Sequence, residues 1–473
     1  MPRTRAPRNF EVLSLRRRGF STSRSPGVGS AVLANSAPSI ILDGTPQDPY
    51  ALRSPIASDK FIDPSAANDL GSGTEANPWK TLTSARANTL QPGQHLWIKA
   101  GTITSWPSLL SLPSGTAQNR IVIAAYPGQT PTIIFPTAGL SSLDGYPGFG
   151  SPGGTAYWSL HGLNFEVPGM CGILFGIHQW NLQEVNCSNI RVVDCTGHTS
   201  VATSDNAGIL FFDGGADYIE VVRCNFNAAG ATGGDGRGNR ALIWTDFSTY
   251  FSLIGCILDA DGVSLPFYHK HSNFQAAGTT QRIFKNNIIM NGSRGALFCG
   301  RYFQITNNVF RNVNLDFADQ GGFDVGRGLN TVRHNTFYIT VGNNFGIQFV
   351  NNDGGSAAGE NFDNVFADNV VTQTGFLWDG ATSGVDIRTV SNNNVYDNGS
   401  SEIRRVNTFY SLAGYKSAFP TREINSIAGN ITFSGGSSMT TNPSQWALTG
   451  AGRNAASDGT DCGVDASKLL TVN

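Results

Sequence analysis

Chemistry in this 473-residue chain would most readily come from strand-like segments that end on a charged or titratable residue. GILFFD ends at Asp213, ALIWTD ends at Asp246, and SLPFYHKH closes on His269, Lys270 and His271. Further on, GALFCGR ends at Arg301, GGFDVGR at Arg327, GIQFVN at Asn351 and GFLWD at Asp379. If these segments are neighbouring strands, their last side chains form one stripe with about 4.8 Å between neighbours. Asp213 and Asp246 would then be a carboxylate pair, the equipment of glycoside cleavage. A separation of about 5–5.5 Å suits a retaining hydrolase and about 6.5–9.5 Å an inverting one. Like charges held that close also raise one pKa, as a general acid requires. The cationic members permit a different chemistry. Lys270, Arg301 and Arg327 could neutralise a uronate carboxylate while a His or Lys removes the adjacent proton, which is the logic of a lyase. The expected catalytic residues are therefore Asp213, Asp246, His269, Lys270 and His271. The expected glycan contacts are Arg301, Arg327, Asn351 and Asp379. The competing reading is a solvated row of strand-end charges that pair between strands. His-x-His at 269–271 is a fragment of a metal site without a third ligand beside it, so no metal is expected. DGTDCGVD (458–465) has the alternating acids of a Ca²⁺ loop but is read as a turn, so no cofactor is assigned.

The element that must position these residues is a repeat. RIFKNNIIMNG (282–292) has echoes in IRVVDCTGH (190–198), IEVVRCNFN (219–227), FSLIGCILD (251–259), FQITNNVFR (303–311), NTVRHNTFY (330–338), NVFADNVVT (364–372) and RTVSNNNVY (388–396). Aligned, they share a column of Cys195, Cys224, Cys256, Asn287, Asn308, Asn335, Asn369 and Asn393, with Leu163 of an earlier echo at its head. Successive members are 21 to 34 residues apart. Strands at that period without helical periodicity between them predict a solenoid. Each echo reads as one short strand. Column residues of successive rungs stack, so the Asn side chains are expected to form an amide ladder. Cys replaces Asn as a compact hydrophobe.

Composition agrees. Gly is 56 of 473 residues, and charged residues are only 14%; many tight turns and few solvated helices follow. Five of the seven cysteines (Cys187, Cys195, Cys224, Cys256 and Cys299) fall at rung-like spacing and are expected to be buried free thiols. No apolar run reaches the length of a membrane span. The N-terminal segment differs from the rest. Arg3, Arg5, Arg8, Arg16, Arg17, Arg18 and Arg24 face one acid, Glu11, which leaves the first 24 residues near +6 and the remainder near −8 (−2 minus 6). With no apolar stretch behind the basic one, it does not read as an ordinary secretory signal. It is expected to be an extended arm, anchored to an acidic partner through Arg3, Arg5, Arg8, Arg16, Arg17 and Arg18.

The two ends of the body carry a family resemblance. FIDPSAANDLGSGTEANPWKTLTSARANTLQPGQHLWIKAGT (61–102), NRIVIAAYPGQTPTI (119–133), SAFPTREINSIAGNITF (417–433) and QWALTGAGRNAASDGTDCGVD (445–465) resemble the opening and closing blocks of the pectin-lyase-like superfamily. The resemblance implies an all-β, right-handed parallel β-helix (β-solenoid) with a short C-terminal cap, to which the charge of the first residues adds the extended N-terminal arm. The expected division is an arm at 1–58, a β-helix at 59–400 opened by a capping helix within 79–90, and a cap at 401–473. The superfamily includes lyases, hydrolases, epimerases and adhesins, and the chain lacks the polygalacturonase N-T-D, D-D, G-H-G and R-I-K set. No family residue is therefore carried over. The leading expectation is a bacteriophage virion protein of the tail-spike, head-spike or decoration type. The arm would dock it to other virion proteins, and the β-helix would face host-surface polysaccharide, with depolymerase activity and homo-oligomer formation open. The alternative is a secreted polysaccharide lyase or glycoside hydrolase.

Overall fold

The computed structural model describes residues 48–104, 106, 112–135, 149–151, 154–168, 171–175, 187–200, 208–212, 216–231, 241–245, 248, 250–262, 265–269, 281–292, 296–298, 302–317, 327–340, 347–349, 361–362, 364–373, 377–379, 390–397, 402–405, 408–437 and 439–469. The chain divides into two units, 1–53 and 54–473. Of the first, residues 48–53 are described, with the Tyr50 N–H donating to Asp48 Oδ1 at 3.0 Å. The arm arginines Arg3, Arg5, Arg8, Arg16, Arg17 and Arg18 lie outside the described residues.

The second unit is the expected all-β parallel β-helix. Among the described residues three long sheets run along it: a first of 12 strands, from Lys60–Ile62 to Val390–Asn392, a second of 12, from Gly101–Ile103 to Ile427–Ala428, and a third of 11, from Phe149–Ser151 to Thr408–Tyr410. Along the coil a strand pairs in parallel with its equivalent one rung away, as Ser188–Val193 does with Asp217–Val222, and the third sheet ends in an antiparallel pair of Ile403–Arg405 with Thr408–Tyr410. Side chains of alternate residues point inward and form one continuous core, which includes Ile190, Phe226, Phe251, Phe284, Ile305 and Phe337.

Each echo is two strands rather than one. In RIFKNNIIMNG, Gln281–Lys285 belongs to the first sheet and Ile288–Met290 to the second. Asn286 and Asn287 make the corner between them. Asn286 takes a left-handed backbone, φ 61°, and so do Asp194, Arg223, Asn307, His334, Asp368 and Asn393 on other rungs. That conformation costs an L-residue about 1–2 kcal/mol, least for short polar side chains, which explains the run of Asn and Asp here. The residue after it turns inward. The ladder is Asn287–Asn308–Asn335–Asn369–Asn394, with Nδ2 donating to the next Oδ1 at 2.8, 2.9, 3.1 and 3.2 Å. Asn394 therefore replaces Asn393 in the predicted column, because Asn393 is itself the left-handed corner residue. Above the ladder, Cys195, Cys224 and Cys256 are buried free thiols, and the Cys256 N–H donates to Asn287 Oδ1 at 2.8 Å.

Both ends of the core are closed. The capping helix is shorter than expected, Ser84–Ala87, because Trp79 is bridged to Ile62 and the N–H groups of Lys80 and Thr81 donate to Asp69. Leu82, Ala87 and Leu90 still cover the core. At the other end Leu412 and Tyr415 of the helix Leu412–Ala418 join the core. The buried Glu423 carboxylate terminates the ladder, accepting from Asn394 Nδ2 (3.2 Å), Ser426 Oγ (2.5 Å), Tyr396 Oη (2.9 Å) and Ser391 Oγ. Residues 429–469 then do something the sequence did not announce. They fold back over the outer face of the second sheet, where Phe433, Trp446, Leu448 and Val464 cluster with Ile288, Val309, Tyr338 and Val370.

A second left-handed position lies at or just before the start of several first-sheet strands. Tyr157, Asn189, Tyr218, Tyr302 and Leu329 occupy it with φ between 54° and 62°. Bulky residues rarely adopt this backbone.

Candidate functional site

The residues expected to do chemistry follow strands of the third sheet. Gly208–Phe212, Ala241–Thr245 and Leu265–His269 pair in parallel, with Phe212 opposite Thr245 and Thr245 opposite His269. Asp213, Asp246 and Lys270 are the next residues in the chain; they lie outside the described residues, as do His271, Arg301 and Asn351. Phe349 pairs with Asp379, which puts Asp379 within a strand of the same sheet. Arg327 belongs elsewhere: Arg327–Gly328 pairs with Asn361–Phe362 in a separate two-stranded sheet.

His269 differs from its expected place. It is the last residue of its strand, but alternation turns it into the coil. The ring is fully buried, Nδ1 lies 2.7 Å from Thr245 Oγ1, and its centroid is 5.5 Å from that of Phe303, edge to face. It is an interior anchor beneath the strand ends, not a surface acid or base.

The outward residues of the same strands are Phe211, Trp244 and Tyr268. The Phe211 and Trp244 rings stack at 5.6 Å, and Tyr268 meets Trp244 edge to face at 4.5 Å. All three are buried. The strands therefore have apolar side chains packed on both faces, a rigid base for whatever follows them.

The corners from the third sheet into the first are braced. Between Thr245 and Tyr250, the buried Arg282 donates from Nε and Nη2 to the Ser248 carbonyl at 2.9 and 2.7 Å, with its guanidinium 5.2 Å from the Phe303 ring. Ser248 Oγ donates to the Ala216 carbonyl of the neighbouring corner. Asp217 Oδ1 accepts the N–H groups of both Tyr218 (3.0 Å) and Tyr250 (2.6 Å). The stretch Ala216–Asp217 and the stretch from Ser248 to Tyr250, on successive rungs, are thus tied to each other. At their far side Tyr218 and Tyr250 stack at 4.3 Å with an interplanar angle of 12°. Burial, followed by neighbouring Tyr250 and Asp217, raises the Tyr218 phenol pKa. The sequence carried a signal for this feature that the strand-end reading passed over. Tyr157, Tyr218, Tyr250 and Tyr302 each stand five residues before a corner residue (Gly162, Arg223, Gly255 and Asn307).

A second concave feature lies where the C-terminal segment crosses the corner between the first and second sheets. It is a cleft of about 600 Å³, lined by Lys285, Thr306, His334, Asp458, Asp465 and Lys468 among others. His334 Nε2 is 3.4 Å from Asp458 Oδ2 and 3.9 Å from Asp368 Oδ2. Asp368 is fully buried and accepts the N–H and hydroxyl of Ser457 at 2.7 and 2.8 Å. The Thr460 hydroxyl, with His334 adding a smaller effect, holds the Asp458 carboxyl below its usual pKa. The acids of DGTDCGVD do not converge. Asp458 turns to Thr460, Asp461 accepts the Asn454 N–H, and Asp465 pairs with Lys468 at 2.8 Å. Among the described residues no cluster of three or more His, Cys, Asp or Glu side chains is arranged to hold a metal ion.

Three parallel sheets, left-handed corners between the first two, and a buried amide ladder behind those corners define the architecture. The fold is a parallel β-helix. No protein-family model matches the chain, and no curated protein sequence matches it significantly. Solved structures similar to it include the pectate lyase Pel9A, with a TM-score of 0.42 and 14% identity over 71% of this chain and 80% of that one. XylC with xylose gives 0.43 and 9% over 79% and 87%. The PL6 family polysaccharide lyase Pedsa3628 from Pseudopedobacter saltans gives 0.41 and 11% over 82% and 99%. At such values these likenesses carry no argument about what this β-helix acts on, since one fold hosts many activities.

Proposed function

We propose that the protein is a carbohydrate-active β-helix that engages a polysaccharide where the third sheet turns into the first. The observation that carries this reading is the register of Phe212, Thr245 and His269 on three successive rungs. Asp213, Asp246 and Lys270 each follow one of them, so the strand ends recur at the rung spacing of about 4.8 Å. Two carboxylates and an ammonium group carried by the residues that follow these strand ends would supply a proton donor, an acceptor and a charge stabiliser for cleaving a glycosidic linkage. His271, Arg301, Arg327, Asn351 and Asp379 remain proposed contacts to the glycan. The test is cleavage of polygalacturonate, alginate and xylan by the purified protein. Asp213→Asn, Asp246→Asn and Lys270→Ala are each expected to lower the rate at least a hundredfold without changing the melting temperature. Unsaturated product ends would indicate a lyase, and new reducing ends without unsaturation a hydrolase. Full activity in all three variants would remove the proposal.

The finer reading, a bacteriophage virion component, is supported by one feature: the near +6 charge of the first 24 residues against a near −8 remainder (−2 minus 6). Seven arginines against one acid suit an anchor on an acidic partner, through charge-assisted Arg–carboxylate contacts. Particle incorporation of the full chain but not of residues 59–473 is its mark; equal incorporation of both would count against it and leave the secreted alternative.

A further inference from the structure

We propose that the tyrosine edge beside the braced corners is a clamp for one pyranose ring of a glycan, seated in the slot at the Asn189 rung between Tyr157 and Tyr218. Resting on the reading of the protein as carbohydrate-active, the clamp adds a binding site on a different set of residues.

The first-sheet register aligns these positions. Ser188 pairs with Ala156 and with Asp217, so the residues that follow them, Tyr157, Asn189 and Tyr218, stand on three successive rungs. Tyr250 is on the next rung, stacked on Tyr218 at 4.3 Å. That close parallel contact between adjacent rungs means the two rings stack along the helix axis. The pair therefore offers a ring face toward the Asn189 rung, where the column holds a short amide instead of an aromatic. Asn189 Nδ2 is turned onto the Ser188 hydroxyl at 3.2 Å and leaves the rung low. Tyr157 and Tyr218 are two rungs apart, about 9.6 Å. Ring contacts need about 4.5 Å or more on each side, so the slot admits one saturated ring and no second. The floor is rigid, since Arg120 donates to the carbonyls of Asn189 (2.6 Å) and Trp158 (3.2 Å) and its guanidinium lies 5.6 Å from the Tyr157 ring.

Three features favour a sugar as the occupant. Tyr218 is 46% exposed, so its ring contributes little to the core. Tyr157 and Tyr218 hold φ of 60° and 54°, a backbone that Asn189 at 57° adopts at lower cost. The fold has no need of an aromatic there. A pyranose presents C–H groups to an aromatic face and hydroxyls to its rim, where phenol and amide groups meet them. Nucleic-acid bases could also stack, but the chain beyond its first 24 residues carries net negative charge. Asp213 and Asp246 stand five and four residues before Tyr218 and Tyr250 in the chain, so the clamp and the proposed cleavage groups belong to the same pair of turns.

The test is affinity gel electrophoresis with polygalacturonate, alginate and xylan in the gel. The background is the Asp213→Asn/Asp246→Asn double variant, so that binding is read without turnover. At least one polymer should retard the parent. Tyr218→Ala should weaken that retardation at least tenfold. Asn189→Tyr should do the same by filling the slot; it continues the tyrosine column at a left-handed position that costs Tyr more than Asn, so its melting temperature should fall by only a few degrees, as a single surface position would. If the rings serve packing alone, Asn189→Tyr binds as the parent does, and that result overturns the clamp. So does a parent that none of the three polymers retards. Cleavage by the wild-type protein that survives Asn189→Tyr and Tyr218→Ala with unchanged KM would also overturn it, while leaving the catalytic reading intact.

Discussion

Replacing Asn335 with Leu tests the ladder at its centre. Asn335 is fully buried, and its side chain makes five hydrogen bonds. Oδ1 accepts the Asn308 N–H and Asn308 Nδ2, both at 2.9 Å. Nδ2 donates to the carbonyls of Ile305 (2.8 Å) and Arg333 (2.9 Å) and to Asn369 Oδ1 (3.1 Å). Leu has nearly the same shape and none of these groups. Asn308 Nδ2 keeps two carbonyl partners, those of Phe284 and Thr306, and Asn369 Oδ1 keeps the Asn335 N–H. The Asn308 N–H loses its side-chain acceptor in a fully buried site. One orphaned buried donor costs about 1–3 kcal/mol, and the other lost bonds add about 1 kcal/mol net once the apolar gain of Leu is counted. The expected loss is about 3 kcal/mol, read from the midpoint of a urea denaturation curve with the slope unchanged. Asn393→Leu is the control, since that residue sits at the corner outside the ladder. Its cost should come from the left-handed backbone, about 1–2 kcal/mol. A loss below about 0.5 kcal/mol for Asn335→Leu would refute the claim that the amides form one satisfied stack.

Two further outcomes are expected. Cys187, Cys195, Cys224, Cys256 and Cys462 are free and buried, burial pushes the Cys224 thiol up, and burial followed by nearby acids takes Cys462 to about 12. Native protein at neutral pH should leave these five unreacted with a thiol reagent, and denaturation without reductant should release all five; disulfide-linked peptides among them would contradict the interior. Burial, partly opposed by Asp194, holds His161 at about 4. The unfolded chain takes up this proton near pH 6.5 and the folded chain does not, so stability falls as pH drops from about 6.5 to 4, by roughly 3 kcal/mol in all. His161→Gln should flatten that part of the stability curve, and an unchanged slope would show that His161 protonates in place.

The sequence alone determined the repeat, because a solenoid writes the same local requirements on every rung. The apolar alternation, the buried Cys-then-Asn column and the short polar corner residues are each set by neighbours one rung away. They were legible without knowing where the third sheet lay. The error at Asn393 has the same origin: two adjacent Asn residues satisfy a pattern, and only the backbone hand tells the corner residue from the ladder residue. What the tertiary structure decided is which face each strand-end residue meets. The side chain of His269 turns inward to Thr245 and Phe303 because its strand is in register with Phe212, and a one-residue difference in register reverses the face. Arg327 reads like Arg301 in sequence but belongs to a separate sheet. The brace from Arg282 to Ser248 joins residues 34 positions apart, and the stack of Tyr218 on Tyr250 joins residues 32 apart. Those contacts exist because the coil returns the chain to the same edge once per turn. Linear spacing encodes that a return occurs, and only the folded register fixes which side chains meet when it does.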